Sequence, residues 1–266
     1  MSAEKLKRLR SILKDMQSVL VAYSGGTDST FLLKTAADVL GRRALGVIAK
    51  SETYPSAEYK QAVRLAKRLG LRVLTLDTQE LSDPRFASNP PERCYFCKGE
   101  LFSKLKALAE ENGLNHVADG TNVDDAADFR PGRKAAIEFG IRSPLKEAGL
   151  TKSDIRTYSK TTGLPTWNKP AQACLASRFP YGTAIDAEGL KKVEAAEAFL
   201  RRLGLAQLRV RHHGRTARIE VPAGLLKRLV SDPVRGRIVR KLKKLGYAYV
   251  TLDLEGYRTG SLNEVL

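Results

Sequence analysis

The three cysteines are the residues of this chain with the most distinctive chemistry. Cys94 and Cys97 form a C-x₂-C pair in "ERCYFCKGELF", and Cys174 lies in the Pro-containing stretch "PAQACLASRFPYG". Two thiolates at this spacing suit zinc, an iron–sulfur cluster or a redox pair. A zinc site would need Cys174 and one of the three histidines as further ligands. Inert thiols are the plain alternative.

A glycine-rich loop, "AYSGGTDST" at residues 22–30, predicts an anion site. Gly25 and Gly26 permit a sharp turn that exposes successive N–H groups, and the N-terminus of a following helix would reinforce them. Asp28 is a candidate N-cap residue. The hydroxyl donors of the loop are Ser24, Thr27 and Ser29. The string matches neither GxxxxGK[ST] nor GxGxxG, and a bare Gly-Gly turn often serves geometry alone.

A third candidate is the segment "DGTNVDDAADFRPGRKAA" at residues 119–136. Gly120 would allow a nucleotide to approach the backbone closely. The charged candidates are Asp124 and Asp125, as Mg²⁺ ligands, and Arg130 and Arg133, as partners of phosphate. A capped helix start followed by a turn is the alternative interpretation.

Three arginines in the second half could bind an anionic substrate. Arg209 and Arg211 alternate in "LRVRHHG", so their side chains share one face of a predicted strand. Arg178 follows Cys174 by four positions. Guanidinium groups bind phosphate and carboxylate well. A solvent-facing polar edge is the alternative.

The elements that must position these residues follow from hydrophobic periodicity. Strands alternate with helices in the first half, which predicts a parallel sheet covered by helices on both faces, with ligands at the carboxyl ends of its strands. The predicted strands are 18–24, 44–51, 71–77 and 115–120, and the predicted helices are 28–40, 55–70 and 97–112.

The pattern changes after residue 163. A Pro- and Gly-containing loop with Cys174 is followed by a helix at 186–203, two strands within 208–221, two further helices and a strand at 247–254. We therefore expect an α/β domain at 1–163 and a smaller α+β domain at 164–266, with the Cys174 loop at their junction.

Composition sets the class of protein. The 266 residues are 42% hydrophobic and 28% charged, which is typical of a globular chain. No apolar run is long enough to span a bilayer, and the charged N-terminal segment lacks the features of a signal peptide. We expect a cytoplasmic protein with reduced cysteines. The net charge of +17 suggests a polyanionic partner, an anionic substrate or simply a basic surface.

The string "SGGTDS" resembles the SGGxDS signature of the ATP pyrophosphatase, or PP-loop, family. That resemblance implies cleavage of ATP between its α and β phosphates, with Mg²⁺, and adenylation of a substrate oxygen. Asp28 would then be catalytic. The ATP-binding residues that the PP-loop resemblance implies are Ala22, Ser24, Gly25, Gly26, Thr27, Asp28, Ser29, Gly120, Thr121, Asp124 and Arg130.

A wider resemblance covers nearly the whole chain. "CLASR", "RHHGRTARIEV" and "GYRTGSLN", together with the PP-loop strings, are similar to the sulfur transferases that build the nickel-pincer nucleotide of lactate racemase. The resemblance implies adenylation of pyridinium-3,5-biscarboxylic acid mononucleotide and displacement of AMP by sulfur at Cys174. It also implies substrate contacts at Arg178, Arg209 and Arg211, and assembly into a homo-oligomer.

Family members with three cysteines at these places hold a [4Fe–4S] cluster. The resemblance therefore implies such a cluster here, with Cys94, Cys97 and Cys174 as its ligands and an unidentified sulfide donor. A sacrificial Cys174 that gives up its own sulfur is the alternative. A cluster-dependent tRNA thiolase is the runner-up function, although no RNA-binding module is recognisable. A non-catalytic metal-binding or nucleotide-sensing module that keeps the PP-loop fold is a third.

Overall fold

The strand–helix alternation of the first half folds into a four-stranded parallel sheet, ordered β3-β2-β1-β4. The computed structural model describes residues 3–127, 131–170 and 172–265. The strands are β1 (Val19–Ala22), β2 (Ala44–Lys50), β3 (Val73–Asp77) and β4 (His116–Ala118). The helices up to residue 163 are α1 (Ala3–Met16), α2 (Thr27–Leu40), α3 (Ser56–Arg68), α4 (Pro84–Ala87), α5 (Arg93–Glu111), α6 (Gly132–Glu138), α7 (Pro144–Glu147) and α8 (Lys152–Thr161). The predicted α/β class is confirmed.

The central strand β1 explains why the sheet forms where it does. Val19, Leu20 and Val21 are fully buried, because helices cover both faces of a parallel sheet. Val19 pairs with Ala44 of β2 on one side and with His116 of β4 on the other. The carboxyl ends of β1 and β4 therefore meet at one edge, where the glycine turn and the segment after β4 both begin.

A second sheet has the order β5-β6-β7 and mixes an antiparallel with a parallel pair. Its elements are α9 (Ala187–Arg202), β5 (Arg209–His213), β6 (Thr216–Glu220), α10 (Leu226–Val230), α11 (Val234–Lys244) and β7 (Tyr249–Leu252). Its core is aliphatic, with Leu200, Val210 and Leu242 fully buried. The predicted small α+β unit is confirmed.

Contacts divide the chain into two units, at positions that differ from the predicted 163/164 boundary. One unit comprises Met1–Glu80 and Cys94–Gln172, and the other comprises Leu81–Arg93 and Ala173–Leu266. The prediction missed the excursion at 81–93, because this segment joins the second unit through backbone hydrogen bonds such as Gly182 N–H to Asn89 O, at 2.9 Å. Within the described residues, no helix combines the length and apolar character needed to cross a membrane.

Candidate functional site

The glycine turn between β1 and α2 has the backbone of an anion site. Gly25 takes φ +64°, and a Cβ there would overlap the side chain of Ala62 and lie 2.9 Å from its Cα, so only glycine fits. Gly26 is the N-cap residue of α2 and provides no side-chain cap. The turn follows Ala22, the last residue of β1. It therefore presents backbone donors and the positive end of a helix dipole.

The hydroxyl groups of the turn are partly engaged within the protein. Ser29 Oγ accepts a hydrogen bond from the Ser24 N–H at 3.2 Å and lies 3.0 Å from Ser24 Oγ. Thr27 Oγ1 donates to the carbonyl of Thr166 at 2.7 Å. The single hydroxyl proton of Thr27 is therefore committed, so its predicted donor role passes to its backbone N–H.

Asp28 has one carboxylate oxygen in an ion pair and one without a hydrogen-bond partner among the described residues. Its Oδ2 forms an ion pair with Lys152, whose backbone N–H donates to Asp124 at 2.8 Å. Its Oδ1 is buried and has no hydrogen-bond partner among the described residues. Burial raises the pKa of Asp28, while Lys152 lowers it and Asp125 raises it. The predicted N-cap role is wrong, since Gly26 holds that position.

The orphaned oxygen of Asp28, close to a second carboxylate at Asp125, fits a hard cation that carries phosphates. Mg²⁺ would find there the oxygen ligands it prefers. Among the described residues, no preformed group of three or more His, Cys, Asp or Glu side chains could hold a metal.

The segment after β4 lies against the first turn of α2. A Cβ on Gly120 would lie 3.1 Å from the backbone nitrogen of Ser29, so glycine permits this approach. Thr121 donates through its N–H and its hydroxyl to Asp119, at 3.1 and 2.8 Å. Arg130, the predicted phosphate partner, lies outside the described residues.

The cysteines occupy two different units of the chain. Cys94 is exposed and Cys97 half-buried, and both lie near the start of α5, three positions apart and hence on one helix face. Cys174 is exposed and precedes a short 3₁₀ turn, Leu175–Arg178. The thiols suit an iron–sulfur cluster chemically.

Arg178 shapes the backbone around Cys174. It is fully buried, and its Nε and Nη2 donate to Glu197 at 2.8 and 3.1 Å. Its Nη1 donates to the carbonyls of Ala173 and Cys174 at 2.9 and 3.0 Å. The structure thus gives Arg178 a role other than the predicted substrate contact, because the enclosed guanidinium holds the peptide groups on both sides of the thiol.

Arg211 supports the same turn from the second sheet. It binds Glu220 through two hydrogen bonds of 2.8 Å, and its Nη1 donates to the carbonyl of Ser177 at 2.8 Å. Its Nη2 also donates to Ser261 Oγ at 2.8 Å. The charge of Arg211 is therefore compensated within the protein.

Arg209 differs from these two arginines. It is buried, its Nη1 donates to the carbonyl of Leu208 at 2.7 Å, and its guanidinium lies 5.2 Å from the ring centre of Tyr257. Within the described residues it has no carboxylate in ion-pair contact. Burial and the neighbouring Arg178 lower its pKa. A buried cation that forms no ion pair among the described residues is suited to an anionic ligand.

Comparison with known proteins decides the family. The chain is 43% identical over 265 residues, 99% of its length and 95% of the relative, to the pyridinium-3,5-bisthiocarboxylic acid mononucleotide synthase of Lactiplantibacillus plantarum. It belongs to this synthase family. It is also 46% identical over 266 residues to an uncharacterised protein of Synechocystis, covering 100% of the chain and 99% of that protein. An uncharacterised protein of Methanocaldococcus jannaschii is 33% identical over 261 residues, 96% of this chain and 98% of the relative.

A family model described as NAD synthase matches residues 4–110, which contain the glycine turn and most of the parallel sheet. The predicted resemblance to the PP-loop proteins and to the synthase family is thereby confirmed.

Sequence reasoning missed Lys152 and Lys169, which both reach the glycine turn. Lys152 follows Thr151, which forms a capping box with Asp154 at the start of α8. The string "TKSD" was a usable signal for that helix start. Lys169 donates to the carbonyl of Gly25 at 3.1 Å, and no local pattern marks it. Only the fold brings it to the turn.

Proposed function

We propose that this chain uses ATP to adenylate the carboxylates of pyridinium-3,5-biscarboxylic acid mononucleotide and replaces the activated oxygen with sulfur. The observation that carries the proposal is the glycine turn with the orphaned carboxylate oxygen of Asp28 at the start of α2. The name of the Lactiplantibacillus relative, a pyridinium-3,5-bisthiocarboxylic acid mononucleotide synthase that aligns over nearly the whole chain, supports the choice of substrate.

In this proposal the glycine turn binds the β and γ phosphates and retains them as pyrophosphate. The backbone donors of Gly25 and Gly26 face the departing group, where fixed dipoles stabilise developing negative charge. Asp28 would hold Mg²⁺, which would neutralise phosphate charge. Lys152, which pairs with Asp28, provides a further cation beside the turn.

The substrate carboxylate attacks the α-phosphorus, and the α–β phosphoanhydride bond breaks. The resulting acyl adenylate is then attacked at its carbonyl carbon by sulfur, and AMP leaves with the electron pair of the C–O bond. Arg209 binds an anionic group of the mononucleotide, since its charge lacks a carboxylate partner. Arg178 and Arg211 keep the Cys174 turn in place.

The sulfur source distinguishes two versions of the proposal. In the first, Cys94, Cys97 and Cys174 would hold a [4Fe–4S] cluster, which would supply sulfide. In the second, Cys174 is the attacking thiolate, and loss of its Cα proton with cleavage of the Cβ–S bond leaves dehydroalanine and the thiocarboxylate. The exposure of Cys174 makes its thiol accessible for a direct test of the second version.

Pyrophosphate release from ATP, with and without the biscarboxylate mononucleotide, tests the ATP-dependent step. We expect release that depends on both substrates and that is lost in Asp28→Asn. Asp38→Asn is the matched control, because Asp38 lies on the same helix and forms only an exposed pair with Lys34. Equal rates in the two variants would place the nucleotide elsewhere.

Anaerobic iron analysis and intact mass spectrometry test the sulfur source. A cluster version predicts about four irons per chain and repeated turnover with sulfide. A sacrificial version predicts a single turnover and loss of the elements of H₂S from Cys174. Wild-type protein that forms neither AMP nor thiocarboxylate would refute the function. The predicted cytoplasmic location and homo-oligomeric state remain predictions.

A further inference from the structure

Two carbonyl oxygens of the glycine turn are held by side chains from other elements. The hydroxyl of Tyr54 donates to the carbonyl of Ser24 at 2.7 Å. The ammonium of Lys169 donates to the carbonyl of Gly25 at 3.1 Å. These contacts join residues 30 and 144 positions apart, so neither follows from the local conformation of the turn.

Holding these carbonyls also fixes the neighbouring N–H groups. In a trans peptide the C=O and N–H point in opposite directions within one plane. The carbonyl of Ser24 shares a peptide plane with the N–H of Gly25, and the carbonyl of Gly25 shares one with the N–H of Gly26. Neither N–H has a hydrogen-bond partner among the described residues. Both therefore point away from Tyr54 and Lys169, as donors to a ligand.

The two side chains are themselves anchored. Lys169 forms a 2.7 Å ion pair with Glu58 of α3, and the side chains are only 15% and 20% exposed. Burial raises the pKa of Tyr54, and Glu58 and Tyr23 raise it further, so the hydroxyl stays protonated and able to donate. The α3 helix also meets the turn where a Cβ on Gly25 would overlap Ala62. The back of the turn is thus packed and hydrogen-bonded.

We propose that Tyr54 and Lys169 are positioning residues of the pyrophosphate site: they hold the carbonyls of Ser24 and Gly25 away from the ligand, so that the N–H groups of Gly25 and Gly26 face it. The proposal rests on the proposed function for the identity of the anion. Without these two hydrogen bonds, either peptide group is free to rotate and to present its carbonyl oxygen to the phosphates. The partial negative charge of that oxygen would repel the phosphate oxygens.

A direct contact between Lys169 and phosphate is the competing explanation for an effect at Lys169. Its Nζ is already shared between the Gly25 carbonyl and Glu58. The hydroxyl of Tyr54 is neutral and bonds to a carbonyl on the outer side of the turn. A direct-contact role would therefore affect variants of Lys169 and leave Tyr54→Phe unchanged, whereas positioning predicts an effect of both.

Binding of inorganic pyrophosphate with Mg²⁺ to the full chain, measured by isothermal titration calorimetry, tests the proposal. We expect Tyr54→Phe and Lys169→Met to raise Kd about three- to tenfold each. Tyr59→Phe and Lys67→Met are the matched controls: the Tyr59 hydroxyl lies 2.9 Å from Thr75 Oγ1, away from the turn, and Lys67 is exposed on α3. The controls should bind as the wild type does.

Backbone amide resonances of selectively ¹⁵N-glycine-labelled protein separate positioning from general destabilisation. In the wild type, pyrophosphate should move the amide proton resonances of Gly25 and Gly26 downfield. In Tyr54→Phe and Lys169→Met the change in chemical shift at saturation should be smaller. A variant that merely unfolds more easily would show the full shift in its folded fraction.

Wild-type affinity in Tyr54→Phe, or full amide shifts in both variants, would overturn the proposal. Failure of the wild type to bind pyrophosphate would overturn it together with the ATP site. If the wild type binds pyrophosphate more tightly than Tyr54→Phe and Lys169→Met do, yet the wild type transfers no sulfur, the inference stands and the proposed function fails.

Discussion

Replacement of Glu197 by glutamine should reveal how strongly the Cys174 turn depends on one buried carboxylate. Glu197 is fully buried and accepts four hydrogen bonds, from Arg178 Nε and Nη2, Arg201 Nη2 and the Val210 N–H, at 2.8 to 3.1 Å. In Glu197→Gln an amide NH₂ takes the place of Oε2, which accepts hydrogen bonds from Arg178 and Arg201. Because the NH₂ group cannot accept a hydrogen bond, these two bonds are lost. At about 1.5–3 kcal/mol for each charge-assisted bond, the loss of two is about 3–6 kcal/mol, a range that includes the cost of about 3–5 kcal/mol for breaking a buried ion pair.

Urea unfolding followed by circular dichroism at neutral pH measures this loss. Glu188→Gln is the matched control on the same helix, because Glu188 is 78% exposed and pairs with Lys192 at the surface. We expect the control to change the free energy of unfolding by less than about 1 kcal/mol. Alkylation of Cys174 by iodoacetamide should become faster in Glu197→Gln alone, since the turn loses the anchored guanidinium of Arg178.

The pH dependence of the same comparison gives a second check. Burial raises the pKa of Glu197, but Arg178 and Arg201 lower it by more, so the net pKa lies below the usual value. Its stabilising contribution is present above the ordinary carboxyl pKa and is lost as the pH falls through the lowered one. The difference between wild type and Glu197→Gln should therefore be constant near neutrality and shrink below about pH 4. Equal stability of Glu197→Gln and Glu188→Gln at neutral pH would refute the reasoning.

Three further predictions concern other parts of the chain. Gly25→Ala should lower the free energy of unfolding by about 3 kcal/mol in urea titrations, because the left-handed backbone and the overlap with a neighbouring side chain both oppose a Cβ, whereas Gly26→Ala should cost less than about 1 kcal/mol. Lys152→Met should lower the rate of pyrophosphate release about 100-fold, because the site loses the cation that pairs with Asp28. An unchanged rate would exclude Lys152 from phosphate binding. Burial lowers the pKa of His212, so its stabilising contribution should fall as the pH drops below about 6.5, by at most about 1.4 kcal/mol per pH unit. His212→Asn should therefore lose less stability than the wild type between pH 7 and 5, and parallel losses would contradict this assignment.

The arginine assignments show where sequence reasoning met its limit. The alternation in "LRVRHHG" correctly places Arg209 and Arg211 in one strand, β5. It does not reveal that Glu220 of β6, which lies opposite Arg209 in the strand register, forms its ion pair with Arg211 instead, while Arg209 forms no ion pair among the described residues. The two residues have the same type and the same face, so only their tertiary neighbours distinguish an internal brace from a candidate anion site.

The cysteines give a similar lesson. Their spacing predicts a two-ligand pair, and α5, which begins four residues before the predicted helix at 97–112, places Cys94 and Cys97 on one helix face. Whether Cys174 joins them depends on contacts that spacing does not encode. Membership of a common ligand set therefore stays a prediction.

The sequence by itself determined the parallel sheet and the glycine turn, because short apolar runs, helical periodicity and glycine act through local conformation and burial. Tertiary structure alone decided what surrounds that turn: Lys152 reaches Asp28 across 124 positions, and Lys169 reaches Gly25 across 144. Such contacts depend on how helices and loops pack around the sheet, and no local pattern of residue types specifies that packing.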